Sequence, residues 1–262
     1  MDIFGPAVDI YDIMAATVLR DVDSSEKPRE QHAFVVSFYP TGDVPTPQLI
    51  SRIVVLGPDG HRREITDQRF TAANQDGWIH DAALNYYWYM VTVDTGPLPD
   101  GEYTIEVTLR TGVVLSQSRT QCGRAGGALV AAYLEHRDAM LRSFSPSAVN
   151  PLPAGPSGTG PRCSWTTLAD LGGPDAYYVF RIAEGGSPPE VDPQRLVWWD
   201  NVFIQRARGT DEQAGRNRGS VTVGTALRPR TGYVYSVEIT DANILSETNV
   251  CIVPPHQVFT TG

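Results

Sequence analysis

One stretch of this chain occurs twice. Residues Val91–Ser116 and Val221–Ser246 align without a gap at an offset of 130 residues, and nine of the 26 aligned positions are identical. Ordinary composition gives about one or two identities by chance. Each copy has the pattern of a strand, a turn, a strand containing tyrosine and a further strand, and the unit is too long for a solenoid turn or a propeller blade. The repeat therefore predicts two β-sandwich domains in tandem.

The sequence between the two copies predicts a single helix and then a linker. Apolar residues at helical spacing predict a helix over 128–144, with Gly126 and Gly127 preceding it. The Pro- and Gly-rich residues that follow are typical of a semi-stiff linker. A further strand is predicted over 244–250, and residues 254–262 show no periodicity. The predicted divisions are a first sandwich over 1–122, a helix and linker over 123–160, and a second sandwich with a C-terminal tail over 161–262.

The second half resembles a known family. Residues Leu227, Pro229, Thr231, Tyr233 and Val237 follow the spacing of the fibronectin type III signature. In that family the tyrosine lies at a sheet corner and its hydroxyl bonds to nearby backbone. Trp165 and the aromatic residues after Ala176 also resemble that family's early strands.

The first half carries a looser version of the same signature, Leu98-Pro99 followed by Tyr103, without an early tryptophan. It is therefore expected to be a fibronectin-like or immunoglobulin-like relative. The resemblance implies an all-β fold of two tandem sandwiches joined by one α-helix and a Pro/Gly-rich linker. It implies no particular activity, because such sandwiches host many functions.

The acidic composition argues against two classes of partner. A net charge of −9 and a pI near 5.0 argue against nucleic acid and against an anionic membrane surface, since both need clustered Lys and Arg. The N-terminus lacks a signal-peptide pattern, and no apolar run reaches the ~18 residues of a membrane helix. The expectation is a protein made in the cytoplasm, where Cys122, Cys163 and Cys251 are reduced thiols. No cofactor motif and no metal-ligand spacing occurs, so neither group is expected.

Candidate site residues are mainly aromatic. Exposed tryptophan and tyrosine are common contact anchors for glycan rings, apolar ligands and proteins. The alternative is that the helix or the other domain covers them. His80 and Asp81 are weak catalytic candidates, because adjacent strand residues face opposite ways. The candidate ligand-binding residues are Trp78, Tyr87, Trp88, Trp198 and Trp199.

Three functional hypotheses follow. The first is a non-catalytic structural or interaction protein of a larger assembly, such as a phage virion or tail, with protein partners or self-assembly. The second is a module that binds carbohydrate or another small ligand through the aromatic residues. The third is a cofactor-free, cyclase-like enzyme with a pocket between the domains, for which the sequence offers no catalytic signature.

Overall fold

A computed structural model of the chain describes residues 7–21, 27–65, 67–70, 76–81, 86–93, 96–150, 152, 160–185, 191–192, 195–200 and 215–262. Within these residues the chain is all-β, with a single α-helix and a few short 3-10 turns. The strands are β1 Ile10–Arg20, β2 Arg29–Phe38, β3 Ile50–Leu56, β4 Arg62–Ile65, β5 Asp76–Asp81, β6 Tyr86–Val93, β7 Gly101–Leu109, β8 Val114–Gln121, β9 Arg162–Ser164, β10 Tyr177–Glu184, β11 Leu196–Asp200, β12 Ser220–Thr222, β13 Gly232–Thr240, β14 Val250–Val253 and β15 Gln257–Thr260. The helix, α1, spans Gly123–Ser143.

The first half is a sandwich of two antiparallel four-stranded layers. Strands run in the order β1-β2-β6-β5 in one layer and β4-β3-β7-β8 in the other. Alternate residues of each layer point inward, as the period of two in β7 requires, so Tyr103, Ile105 and Val107 are fully buried. They pack against Phe34 and Val91 of the facing layer. This strand order is that of an immunoglobulin-like sandwich.

The second half is a smaller sandwich closed by the helix. Strands β11, β10 and β13 run side by side, β14 and β15 share the far side of β13, and β9 pairs with β12 in the facing layer. Trp165 follows β9 and lies parallel to Phe180, with ring centroids 6.3 Å apart. Tyr133 and Met140 of α1 are fully buried in the same core. The helix thus covers apolar surface that two short strands alone would leave open.

The sequence repeat corresponds to equivalent strands of the two sandwiches. Its central strand is β7 in the first copy and β13 in the second. The Tyr103 hydroxyl donates to the Pro99 carbonyl at 2.9 Å. The Tyr233 hydroxyl accepts from the Arg228 amide, also at 2.9 Å. Both tyrosines therefore form the corner that the resemblance implies, and the fold is all-β and fibronectin type III-like or immunoglobulin-like.

The two halves share one sheet. Strand β1 of the first sandwich pairs in parallel with β14 of the second, from Thr17 opposite Val250 to Arg20 opposite Val253. Nine strands of the described chain consequently belong to a single sheet. Both sandwiches lie on the same side of it, since alternate β1 residues contribute Ile13 to the first core and Leu19 to the second.

Three sequence predictions differ from the structure. The helix begins at Gly123, so it includes Gly126 and Gly127, which the sequence prediction placed before its start. Glycine at position 126 lets α1 pack closely on β14, because a Cβ there would lie 2.0 Å from Val250 Cγ2. The strand predicted over 244–250 is a 3-10 turn, Leu245–Glu247, followed by β14. The tail predicted to be aperiodic forms β15, whose Phe259 is buried against Tyr233.

Candidate functional site

The shared sheet is strongly curled. Five strands separate β6 from β11 in its hydrogen-bonded order, so a flat sheet would hold them about 29 Å apart at ~4.8 Å per strand. Instead the rings of Trp88 on β6 and Trp199 on β11 stack with centroids 5.2 Å apart and planes 19° apart. The outer face, opposite the two sandwich cores, is therefore concave. The stack of Trp88 on Trp199 brings β6 and β11, near the two ends of the sheet, into contact.

The concave face has its own apolar core. Its residues come from strands of both halves and from the turn Leu245–Glu247, and they are buried despite lying outside the two sandwiches. The half-buried Trp88 and Met90 of β6 pack against this core. The buried members are Met14, Ala16, Val18, Ala33, Val35, Val179, Leu245 and Cys251.

The candidate ligand-binding residues lie in three separate places. Trp88 and Trp199 stack on the concave face, and the Arg181 guanidinium lies 5.8 Å from the Trp199 ring centroid. Trp198 points the other way and packs on the second sandwich core beside Phe180. Trp78 and Tyr87 lie on the inner face of the first sandwich with ring centroids 5.9 Å apart. The five residues thus form no common platform for a ring-shaped ligand.

His80 and Asp81 occupy the end of β5. The His80 ring stacks on Tyr87 with centroids 4.2 Å apart. The strand register pairs His80 with Tyr87 and Asp81 with Tyr86, so successive residues belong to opposite faces of the sheet. The Asp81 side chain lies outside the described part of the chain. Acid–base chemistry by this pair stays a prediction.

A charged cluster lies on the concave face, and sequence reasoning did not find it. Arg181 of β10 forms an ion pair with Glu238 of β13. The Cys251 thiol lies 4.0 Å from the Glu238 carboxylate. The charges of Arg181 and Glu238 both act on the pKa of the half-buried His256. Strand alternation was the available signal, because it places Arg181 on the same face as the buried Val179. An ion pair on a buried face indicates either a polar functional site or a contact that fixes the positions of the two strands.

The chemistry of this cluster is limited. Burial raises the pKa of the Cys251 thiol well above its usual value, and it raises that of Cys163 to about 12. Neither thiol is therefore a ready nucleophile at neutral pH. Both thiols and the exposed Cys122 are unbridged. In the described residues no group of three or more metal-ligating side chains converges.

We predict that His256 makes the folded chain less stable at acidic pH. Burial, then Arg20 and Arg181, lower its pKa from 6.5 to about 4, while Glu238 opposes the shift, and the neutral Nδ1 accepts from the Val191 amide at 3.0 Å. Between pH 6.5 and about pH 4, the His256 ring is more protonated in the unfolded chain than in the folded chain. The free energy of unfolding should therefore decrease as pH falls, by up to about 3 kcal/mol.

The variant His256→Asn keeps an acceptor but does not titrate, and it should lose this part of the pH dependence. Urea unfolding between pH 4 and 7 measures the effect. Wild type unfolded over the same pH range is the reference. An unchanged slope in His256→Asn would contradict the assignment.

Comparison with known proteins adds no argument about this chain. No protein-family model and no curated protein matches the chain. A solved structure of fibronectin(III)-like modules of Clostridium thermocellum CbhA is similar at 10% identity, over 95% of this chain and 94% of that one, with a TM-score of 0.21. The fold described above follows from the strand order and the two tyrosine corners. No helix in the described ranges is long and apolar enough to cross a membrane.

Proposed function

We propose that this chain is a non-catalytic structural and interaction module, in which two β-sandwiches form one stiff unit within a larger protein assembly. The observation that carries the proposal is the parallel pairing of β1 with β14. Tandem sandwiches on a free linker reorient relative to each other, and intrachain domain interfaces usually permit such motion. A shared sheet ties the relative position of the halves to backbone hydrogen bonds.

Polar contacts near the seam, the junction where β1 pairs with β14, support the same function. Arg119 of β8 is 7% exposed, and its guanidinium donates to the Leu245 and Thr248 carbonyls and to the Asn249 side chain. A module that transmits position or load within an assembly needs such fixed geometry, whereas a hinged ligand-binding clamp needs the opposite. The suggestion of a phage virion or tail stays a prediction.

The absolute mass of the purified, untagged chain tests the proposal. Light scattering over a dilution series should give a stable multimer, because a structural module of this kind self-associates or co-assembles. A mass of 28.6 kDa at every concentration would count against self-assembly. The carbohydrate and enzyme hypotheses stay predictions, and a glycan panel screened with wild type and Trp88→Ala tests the first of them.

A further inference from the structure

The chain enters and leaves the shared sheet at opposite ends. Strand β14 runs parallel to β1, with Thr17 beside Val250. Strand β15 continues in the direction of β14, because both pair in antiparallel fashion with β13, first near Thr240 and then near Gly232. The path along the strands from the start of β1 to the end of β15 is therefore about 50 Å long at ~3.3 Å per residue.

Tension applied between these two ends acts along the strands. It draws β1 toward Ile10, and it draws β14 and β15 toward Thr260, in the opposite direction. The hydrogen bonds of a sheet run between strands rather than along them, so opposed pulling shears these pairs and loads their bonds together. Strand β1 resists this shear on both sides, since it also pairs with β2 along its whole length.

Both ends of this path are tied down. Ahead of β1, Val8 is buried in the first core. Beyond β15, the Thr261 hydroxyl donates to the Arg228 carbonyl at 2.6 Å and accepts from the Thr231 amide at 3.0 Å. The outermost residues of a domain fray unless such contacts hold them. Tension that arrives from outside the module consequently meets bonded chain at each end.

The same path passes through both sandwich cores. Strand β1 buries Ile13 in the first core and Leu19 in the second, and β15 buries Phe259 in the second. Sliding β1 along its axis therefore pulls side chains out of both cores at once. The two halves should yield together rather than in turn.

We infer that the module carries tension between structures joined to the chain ahead of β1 and beyond β15, and that the seam between β1 and β14 is its load-bearing element. This inference rests on the proposed structural function and names the load that the module transmits. It requires no self-assembly, so the two can fail separately.

Single-molecule force spectroscopy on the full chain tests the inference, with handles joined to Met1 and Gly262. The two halves should unfold in one rupture, which releases about 600 Å or more of chain at ~3.5 Å per residue. Two independent sandwiches would instead give two ruptures of about half that length each.

The matched comparison moves the second handle to Thr111, in the turn after β7. This turn lies at the same end of the first sandwich as Ile10, because the nearby Gln117 side chain donates to the Ile10 carbonyl at 3.3 Å. Load in this geometry peels β1 from its start. Because forced unfolding depends on the unfolding barrier and the bonds now break in turn, the rupture force should be about threefold lower. Thr111→Cys provides the attachment, and both forms carry Cys122→Ser, which removes the exposed thiol.

A pair of threonine variants tests the anchor at the end of the path. Thr261→Val removes the hydroxyl that bonds to Arg228 and Thr231, and it should lower the rupture force between the chain ends. It should leave the force in the Thr111 geometry unchanged, since residue 261 lies off that path. Thr260→Val, at the exposed neighbouring position, is the matched control and should change neither force.

Equal rupture forces in the two geometries, or two separate ruptures between the chain ends, would overturn the inference. An equal drop in both geometries for Thr261→Val would also contradict it, because the hydroxyl would then contribute general stability. A stable multimer combined with equal forces would refute the load-bearing seam and leave the proposed function standing. A monomer with a high force between its ends would support the seam and count against self-assembly.

Discussion

Replacing Asp21 by Asn should reduce the free energy of unfolding by about 3–5 kcal/mol, the usual effect of breaking a buried ion pair. The Asp21 side chain is fully buried, and Arg137 of α1 binds it through two bonds of 2.5 and 2.7 Å. The Tyr133 hydroxyl donates to the same carboxylate at 2.6 Å. The substitution keeps the shape but removes the buried Asp21 charge that the Arg137 guanidinium binds.

Urea unfolding at pH 7 measures this loss. Glu135→Gln is the matched control, because it removes one carboxylate charge from the exposed face of the same helix and should change stability by under about 0.5 kcal/mol. The pairing with Asp21 raises the pKa of Arg137. A guanidinium stays protonated even without such a partner, so the positive charge persists in the variant. Equal stabilities of the two variants would contradict the view that this cluster fastens α1 to the end of β1.

The parts of the fold that sequence could predict are local. The alternation over 102–110 places Tyr103, Ile105, Val107 and Leu109 on one face of a strand; the first three are buried, and Leu109 is partly buried against the same core. The resemblance to the fibronectin type III signature implied a corner at Tyr233, and the Tyr233 hydroxyl accepts from the Arg228 amide as that resemblance implies. Each of these features depends on residues within about ten positions, which is the range over which strand period and turn chemistry act.

The features that unite the two halves depend on distant segments. Thr17 lies beside Val250, and the Asp21 carboxylate meets Arg137. Nothing in the local pattern of β1 distinguishes an edge that pairs with β14 from an edge that faces solvent. The stack of Trp88 on Trp199 likewise requires the curl of a nine-stranded sheet, so sequence indicated two aromatic clusters without indicating that one residue of each would meet.

Replacing Arg119 by Met should weaken the connection between the halves. The side chain is 7% exposed, and two of the carbonyls it satisfies belong to Leu245 and Thr248, beside the seam. Methionine fills similar volume but donates nothing, so the Thr248 carbonyl loses its donor, while the Leu245 carbonyl keeps the Thr248 amide and the Asn249 side chain keeps the Cys122 amide. The expected loss in the free energy of unfolding is about 1–3 kcal/mol, the usual cost of one buried acceptor left without a partner. Hydrogen exchange followed by mass spectrometry reports this loss separately for each half.

The wild-type halves should exchange their most protected amides with one common opening free energy, because β1 and β14 cannot separate without breaking the shared sheet. In Arg119→Met the second half should open at lower free energy than the first. Arg110→Met is the matched control, since that exposed arginine donates to the Gln48 carbonyl within the first sandwich. If both variants keep a common opening energy, Arg119 does not couple the halves, and their stiffness must come from the β1–β14 hydrogen bonds alone.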